Sequence, residues 1–188
     1  MGEIERSMIR ILLLTLGHLT LLSSLAVAQR TDNPIFSVGV GVDHATSGWS
    51  QDSRPGMPLP YLSVEVATGV LIDRVDVRLR AGGDISPYGA WAGLGPSLEL
   101  DLFNTPVFLE ASVMPGLWVD FDHEYRNGLF EQGLGYPVEF RSQVGLGWHL
   151  NQVSSILLSI SHKSNANIPG SVSNPGIESV QIRYNQSF

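Results

Sequence analysis

Three side chains near the carboxyl-terminal end of the chain are of types that can together activate a hydroxyl group. His162 and Ser164 lie two residues apart, and Glu178 follows them after a segment rich in turn-forming residues. In serine esterases a histidine accepts the hydroxyl proton, while a carboxylate orients the imidazole and stabilises its charged form. We therefore predict Ser164 as the nucleophile, His162 as the general base and Glu178 as the acidic partner in ester hydrolysis.

The spacing of the pair fits a β-strand. Residues two apart on a strand share a face and lie about 6.5 to 7 Å apart, so that the His162 and Ser164 side chains can meet. Asn165 and the backbone amides after Ser164 are the nearest donors for an oxyanion, and Asn174 is a second candidate. A His-x-Ser pair is not specific in a serine-rich chain. What favours a catalytic role is the face that the pair shares and the Glu178 carboxylate.

The elements that position these side chains are strands, because apolar and polar residues alternate repeatedly along the chain. The alternation occurs in eight segments, at 36–43, 62–67, 75–81, 94–102, 107–117, 138–150, 155–161 and 179–188. A tilted strand needs about 9–11 residues to cross a bilayer, and most of the segments approach this length. We predict an all-β fold, an eight-stranded antiparallel transmembrane barrel of the outer membrane.

The connections between the segments alternate in length, as in outer-membrane barrels with long loops outside the cell. The expected long loops are 44–58, 119–135 and 165–176, and 82–88 is a loop of moderate length. This arrangement places His162, Ser164 and Glu178 at the outer rim. The apolar residues that share their strand faces, such as Leu158 and Ile160, indicate that this face meets lipid, whereas Lys163 points into the lumen. Polar groups that face lipid are costly, and a lipid substrate would account for them.

A soluble barrel would show the same alternation with the faces exchanged. The polar positions, however, combine acidic residues with arginines, which suits paired charges in a narrow lumen; examples are Asp76, Glu99, Glu110, Glu139, Arg78, Arg80, Arg141 and Arg183. The last strand also ends in Phe188, which resembles the carboxyl-terminal signal of bacterial outer-membrane proteins. Both observations favour the membrane barrel.

The beginning of the chain predicts export. An apolar run after Arg10 ends in Ala-Val-Ala at 26–28, typical of a signal peptide over residues 1–28, whether translation starts at Met1 or Met8. Residues 29–188 would then form the barrel domain. The chain has no cysteine, so disulfides do not stabilise it, and its net charge of −7 argues against a nucleic-acid partner.

The two motifs around the predicted site resemble one family. The run His-Lys-Ser-Asn-Ala at 162–166 and the run Asn-Pro-Gly-Ile-Glu at 174–178 are similar to the carboxyl-terminal motifs of the outer-membrane lipid A 3-O-deacylases. The resemblance implies an eight-stranded barrel in the outer membrane of a Gram-negative cell, with lipid A or lipopolysaccharide as substrate and no metal or other cofactor. It also implies hydrolysis of the ester-linked 3-hydroxyacyl chain at position 3. By this resemblance the catalytic residues are Ser164, His162 and Glu178, with Asn165 and Asn174 beside them.

Two other functions are compatible with the pattern of strands and loops. One is a non-enzymatic small barrel with a structural or adhesin-like role, which leaves the convergence of His162, Ser164 and Glu178 unexplained. The other is an outer-membrane phospholipase, which would use the same catalytic chemistry with a different acyl pocket. The sequence leaves the oligomeric state open, including a homodimer.

Overall fold

In the computed structural model of the protein, eight antiparallel strands close into a barrel in which β1 pairs with both β2 and β8. The strands are β1 (Ile35–His44), β2 (Leu59–Ile72), β3 (Val75–Ser86), β4 (Gly89–Asp101), β5 (Val107–Asp120), β6 (Val138–His149), β7 (Ser154–Ser164) and β8 (Ile177–Ser187). The structure describes residues 33–44, 59–72, 75–87, 89–103, 105–121, 137–166 and 176–188, so the predicted signal peptide lies outside the described residues. The predicted eight-stranded all-β barrel is confirmed. Within these ranges no helix is long and apolar enough to span a membrane.

The barrel is apolar outside and polar inside. On β7, Leu158 and Ile160 are 56% and 57% exposed, whereas Ser159 and Lys163 are 2% and 1% exposed. The other strands follow the same rule, because their valine and leucine residues point outward and their charged residues are buried. A continuous apolar exterior of this kind marks contact with a membrane and does not fit a soluble barrel. The predicted orientation of β7 is therefore confirmed.

The interior is filled by ion pairs. Arg80 donates to Glu65 and to Glu110 at 2.7 Å each, and Arg183 donates to Glu65 at 2.8 Å and also bonds Glu110. Arg141 bonds Glu65 from a further strand. Buried charges persist only when such partners offset the loss of hydration. Because eight strands leave space for little more than side chains, this network occupies the lumen.

One connection differs from the prediction. Residues 82–88 were expected to form a loop of moderate length, but β3 continues to Ser86 and β4 begins at Gly89. Gly82, which suggests a turn in the sequence, lies opposite Glu65 in the register of β2 and β3. A Cβ atom at Gly82 would lie 2.6 Å from Cγ of Glu65, so the glycine leaves space for a lumenal side chain. The other three connections at this end of the barrel, 45–58, 121–137 and 165–176, are long.

Candidate functional site

His162 and Glu178 meet on the outer surface of the barrel. The antiparallel register of β7 and β8 places them directly opposite one another, and His162 Nδ1 lies 2.7 Å from Glu178 Oε1. An ionised carboxylate only accepts hydrogen bonds, so in the neutral imidazole Nδ1 carries the proton and Nε2 keeps its lone pair. The side chains are 38% and 35% exposed. The arrangement provides an oriented imidazole with one nitrogen available as a base.

Ser164 is the last residue of β7, on the same face as His162 by alternation and paired with Phe140 of β6. It is more enclosed than the sequence suggested, because the residue is 8% exposed. Among the described residues no hydrogen bond joins its hydroxyl to the His162 ring. Such hydrogen bonds are often long in a free enzyme and shorten when the substrate binds. The structure thus joins the predicted base to the predicted acid and places the predicted nucleophile beside them.

The chain turns immediately after Ser164. Asn165 is fully buried, and Ala166 has a positive φ of 53°, a conformation that alanine rarely adopts. This turn ends the strand. Asn174, the second predicted oxyanion donor, lies outside the described residues. Of the two asparagines predicted as oxyanion donors, Asn165 is the one among the described residues, directly after Ser164.

Gly176 packs against the imidazole. A Cβ atom there would lie 2.4 Å from Cε1 and 3.1 Å from Nδ1 of His162. Real Cβ atoms do not approach other atoms so closely, so only glycine allows this contact without a shift of the ring. The motif at 174–178 contains Gly176, but the sequence predicted no role for it. Its position two residues before Glu178 is the signal that could have indicated one.

The lumenal side of the same strand ends carries a separate cluster. Lys163, between His162 and Ser164, points inward and places Nζ 2.8 Å from Asp84 Oδ1 and 3.6 Å from Asp43 Oδ2. The rings of Tyr61 and Trp118 lie with their centroids 5.5 Å from the same ammonium group. A buried ammonium needs such partners, and aromatic faces add to their attraction. The inward direction of Lys163 was predicted, but its partners on β1, β2, β3 and β5 were not.

A groove on the outer surface begins at the pair. It has a volume of about 700 Å³, and His162 and Glu178 line it. Its other outward-facing lining residues come from β4 to β7 and are mostly apolar; they are Pro96, Leu98, Ala111, Val113, Ser142, Val144 and Ile160. Register pairing runs from His162 to Ser142 and on to Val113, so that the groove crosses the strands. No sequence pattern indicated it, because its lining residues come from different strands.

A second group of titratable side chains lies at the opposite end of the barrel. The donor atoms of Glu99, Asp101 and His149 lie within 4.8 Å of one another, and His149 Nε2 is 3.2 Å from Asp101 Oδ1. The His149 ring stacks on Phe108 with their centroids 4.5 Å apart. Three donors of these types could ligate a divalent cation. None of the three lines the groove, and none is hydrogen-bonded to His162.

Comparisons with known proteins identify a family and related folds. The family model described as lipid A 3-O-deacylase (PagL) matches residues 36–187. The crystal structure of the outer membrane enzyme PagL matches with a TM-score of 0.61 and 16% identity, over 82% of this chain and 99% of that chain. Neisserial surface protein A (NspA) matches with a TM-score of 0.54 and 10% identity, over 82% and 97% of the two chains.

The attachment invasion locus protein Ail of Yersinia pestis also matches, with a TM-score of 0.50 and 9% identity over 84% of this chain and 100% of that chain. At such identities the structural likeness shows the fold alone. No curated protein sequence matches the chain.

Proposed function

Because the chain belongs to the lipid A 3-O-deacylase (PagL) family and is a barrel of the outer membrane, we propose that it hydrolyses the ester-linked 3-hydroxyacyl chain at position 3 of lipid A. The reaction takes place at the outer surface of the barrel, beside the outer leaflet. The observation that carries the proposal is the hydrogen-bonded pair of His162 and Glu178, 2.7 Å apart on a lipid-facing surface and next to a serine.

The proposed reaction proceeds through an acyl-enzyme. Nε2 of His162 accepts the proton of the Ser164 hydroxyl while Oγ attacks the ester carbonyl carbon. The tetrahedral oxyanion is stabilised by Asn165, the neighbouring backbone amides and Asn174. When the intermediate collapses, the His162 imidazolium returns the proton to the departing sugar oxygen. Water, activated by the same imidazole, then releases the 3-hydroxy fatty acid and restores Ser164.

Glu178 acts through the imidazole and not on the substrate. Its carboxylate keeps the proton of His162 on Nδ1, so that Nε2 remains available to Ser164. It also stabilises the imidazolium that forms during the attack.

The outer groove supports a substrate with an acyl chain. Its walls are mostly apolar, and His162 and Glu178 form part of its lining. An acyl chain in the groove would remain among apolar side chains while its ester lies near Ser164. A surface protein and an attachment invasion locus protein share the fold, as the likeness to NspA and Ail shows. The strands therefore do not distinguish these functions, and the pair with its groove favours the hydrolase.

Mass spectrometry of lipid A from Gram-negative cells tests the proposal. We expect cells that express the wild-type protein to lose one 3-hydroxyacyl chain from lipid A, and cells that express Ser164→Ala or His162→Ala to retain it. Ser159→Ala is the matched control, because Ser159 lies on the same strand but faces the lumen. Heat-modifiable gel mobility checks that each variant folds.

Two results would oppose the proposal. Lipid A that keeps all its acyl chains with the folded wild-type protein would refute the deacylase activity. Release of fatty acid from phospholipids alone, measured in parallel, would support the phospholipase instead. Near-normal activity of either variant would remove that residue from the mechanism.

A further inference from the structure

One buried carboxylate contacts both of the strands that carry the catalytic pair. Asp43, at the outer end of β1, accepts a hydrogen bond from Ser179 Oγ through Oδ1 at 2.6 Å. Its other oxygen, Oδ2, lies 3.6 Å from Lys163 Nζ. Asp43 has no exposed surface. A single side chain inside the barrel therefore joins the outer ends of β7 and β8.

The two contacted residues are the chain neighbours of the pair on the outside. Lys163 follows His162, and Ser179 follows Glu178. Successive side chains of a strand point to opposite faces, so the inward contacts lie directly behind the outward hydrogen bond. A residue that fixes the inward neighbours also fixes the backbone from which His162 and Glu178 project.

We propose that Asp43 is a positioning residue for the hydrolysis site, holding His162 and Glu178 in register through Lys163 and Ser179. Asp43 does not touch the substrate, because the barrel wall separates it from the groove. The inference rests on the proposed function. It assigns a role to a residue from the first strand of the barrel, about 120 positions from the predicted catalytic motif.

Asp43 can be replaced with less damage than Lys163. Removal of the ammonium would leave Asp43 buried without a counter-charge and Asp84 with Arg141 as its ion-pair partner, which is destabilising. In Asp43→Ala, by contrast, Lys163 keeps its contact with Asp84 at 2.8 Å. Asp43→Asn keeps an acceptor for Ser179 but loses the charge that faces Lys163. The two variants therefore separate the loss of the whole carboxylate from the loss of its charge.

The kinetic test uses the full-length barrel in detergent with lipid A as substrate. Small displacements of catalytic groups lower kcat, so we expect Asp43→Ala to reduce kcat about tenfold or more with little change in KM, and Asp43→Asn to reduce it less. Asp76→Ala is the control, because Asp76 is an equally buried carboxylate, bonded to Arg78 near the other end of the barrel. We expect its kcat to remain near the wild-type value.

A double-mutant cycle tests whether Asp43 acts through the pair. If it does, Asp43→Ala should change kcat little in a Glu178→Gln background, because the interaction that it supports is already lost. An equal reduction in both backgrounds would overturn the inference. So would an unchanged kcat in Asp43→Ala with wild-type Glu178.

Proton NMR of the barrel in detergent micelles gives a readout that needs no catalysis. The Nδ1 proton of His162, assigned by its loss in His162→Gln, should weaken or shift in Asp43→Ala and remain in Asp76→Ala. If Asp43→Ala changes the His162 signal but the wild-type protein does not hydrolyse lipid A, the proposed function is refuted and the positioning role remains. Hydrolysis by the wild-type protein with no response of kcat or of the signal to Asp43→Ala would refute the positioning role alone.

Discussion

The imidazole of His162 is held by a hydrogen bond on one side and by a glycine on another. Glu178 accepts the Nδ1 proton, and Gly176 lies close enough that a Cβ atom there would be 2.4 Å from Cε1. The φ of Gly176 is not in the left-handed range, so alanine is acceptable to the backbone. Any effect of a methyl group at this position should therefore act through the ring.

We accordingly predict that Gly176→Ala produces a folded but nearly inactive protein. Because a displacement of about 1 Å can lower kcat about a hundredfold, a loss of that order is expected. Lipid A hydrolysis by the purified variant measures kcat, and heat-modifiable mobility reports the fold. Wild-type turnover by Gly176→Ala would show that the contact does not restrain His162.

At the residue scale, the sequence predicted the pair but not its surroundings. His162 and Glu178 could be identified because they share the outward face and lie at the adjoining ends of two consecutive strands. Their residue types also suit a base and its acidic partner. The enclosure of Ser164 and the contact of Gly176 with the ring could not be identified, since both depend on how the chain leaves β7 and enters β8. Ala166, with its positive φ, illustrates the difficulty, because alanine gives no signal for such a turn.

At the scale of the strand, β7 combines a lipid-facing side with a lumenal side. Leu158 lies near the middle of the strand, between Leu146 of β6 and Ile182 of β8 in the register. All three are more than half exposed on the outside of the barrel. Ser159, the next residue, is buried in the lumen.

This alternation predicts opposite responses at adjacent positions. Leu158→Arg should destabilise the folded barrel by about 2–4 kcal/mol if it lies near the midplane of the bilayer, whereas Ser159→Thr should have little effect. Urea unfolding in liposomes measures the difference. Spin labels at 158 and 159 provide a check, because oxygen should reach the first from the lipid. A label at 158 shielded from lipid and a label at 159 exposed to it would invert the assignment.

The strands themselves were predictable because a period of two survives wherever one side meets lipid and the other a polar lumen. The connection between β3 and β4 was not. Gly82 and Gly83 resemble turn residues in the sequence, yet both lie within β3. Gly82 lies opposite Glu65, and glycine leaves the space that this lumenal side chain needs. The sequence around Gly82 gives no sign of this neighbour on β2.

At the scale of the whole molecule, the mixture of charges in the lumen was predictable and its pairing was not. The alternation indicated inward-facing arginines and carboxylates. It could not show that Arg183 bonds Glu65, 118 positions away, because that contact exists only after β8 closes onto β1. Asp43 and Lys163 meet for the same reason. Closure of the barrel thus determines the environment behind the proposed site.

The ion-paired interior also bears on which side of the membrane the products of the proposed reaction would remain. Glu65 and Glu110, bridged by Arg80 and Arg183, occupy the lumen between the two mouths of the barrel. A fatty acid released by the proposed reaction at the outer groove would therefore have no route through the described part of the lumen and would diffuse sideways into the outer leaflet, together with the shortened lipid. Planar bilayers that contain the wild-type protein should show no steps in ionic conductance. A stable open level would mean that the interior admits ions and that products could pass to the periplasm.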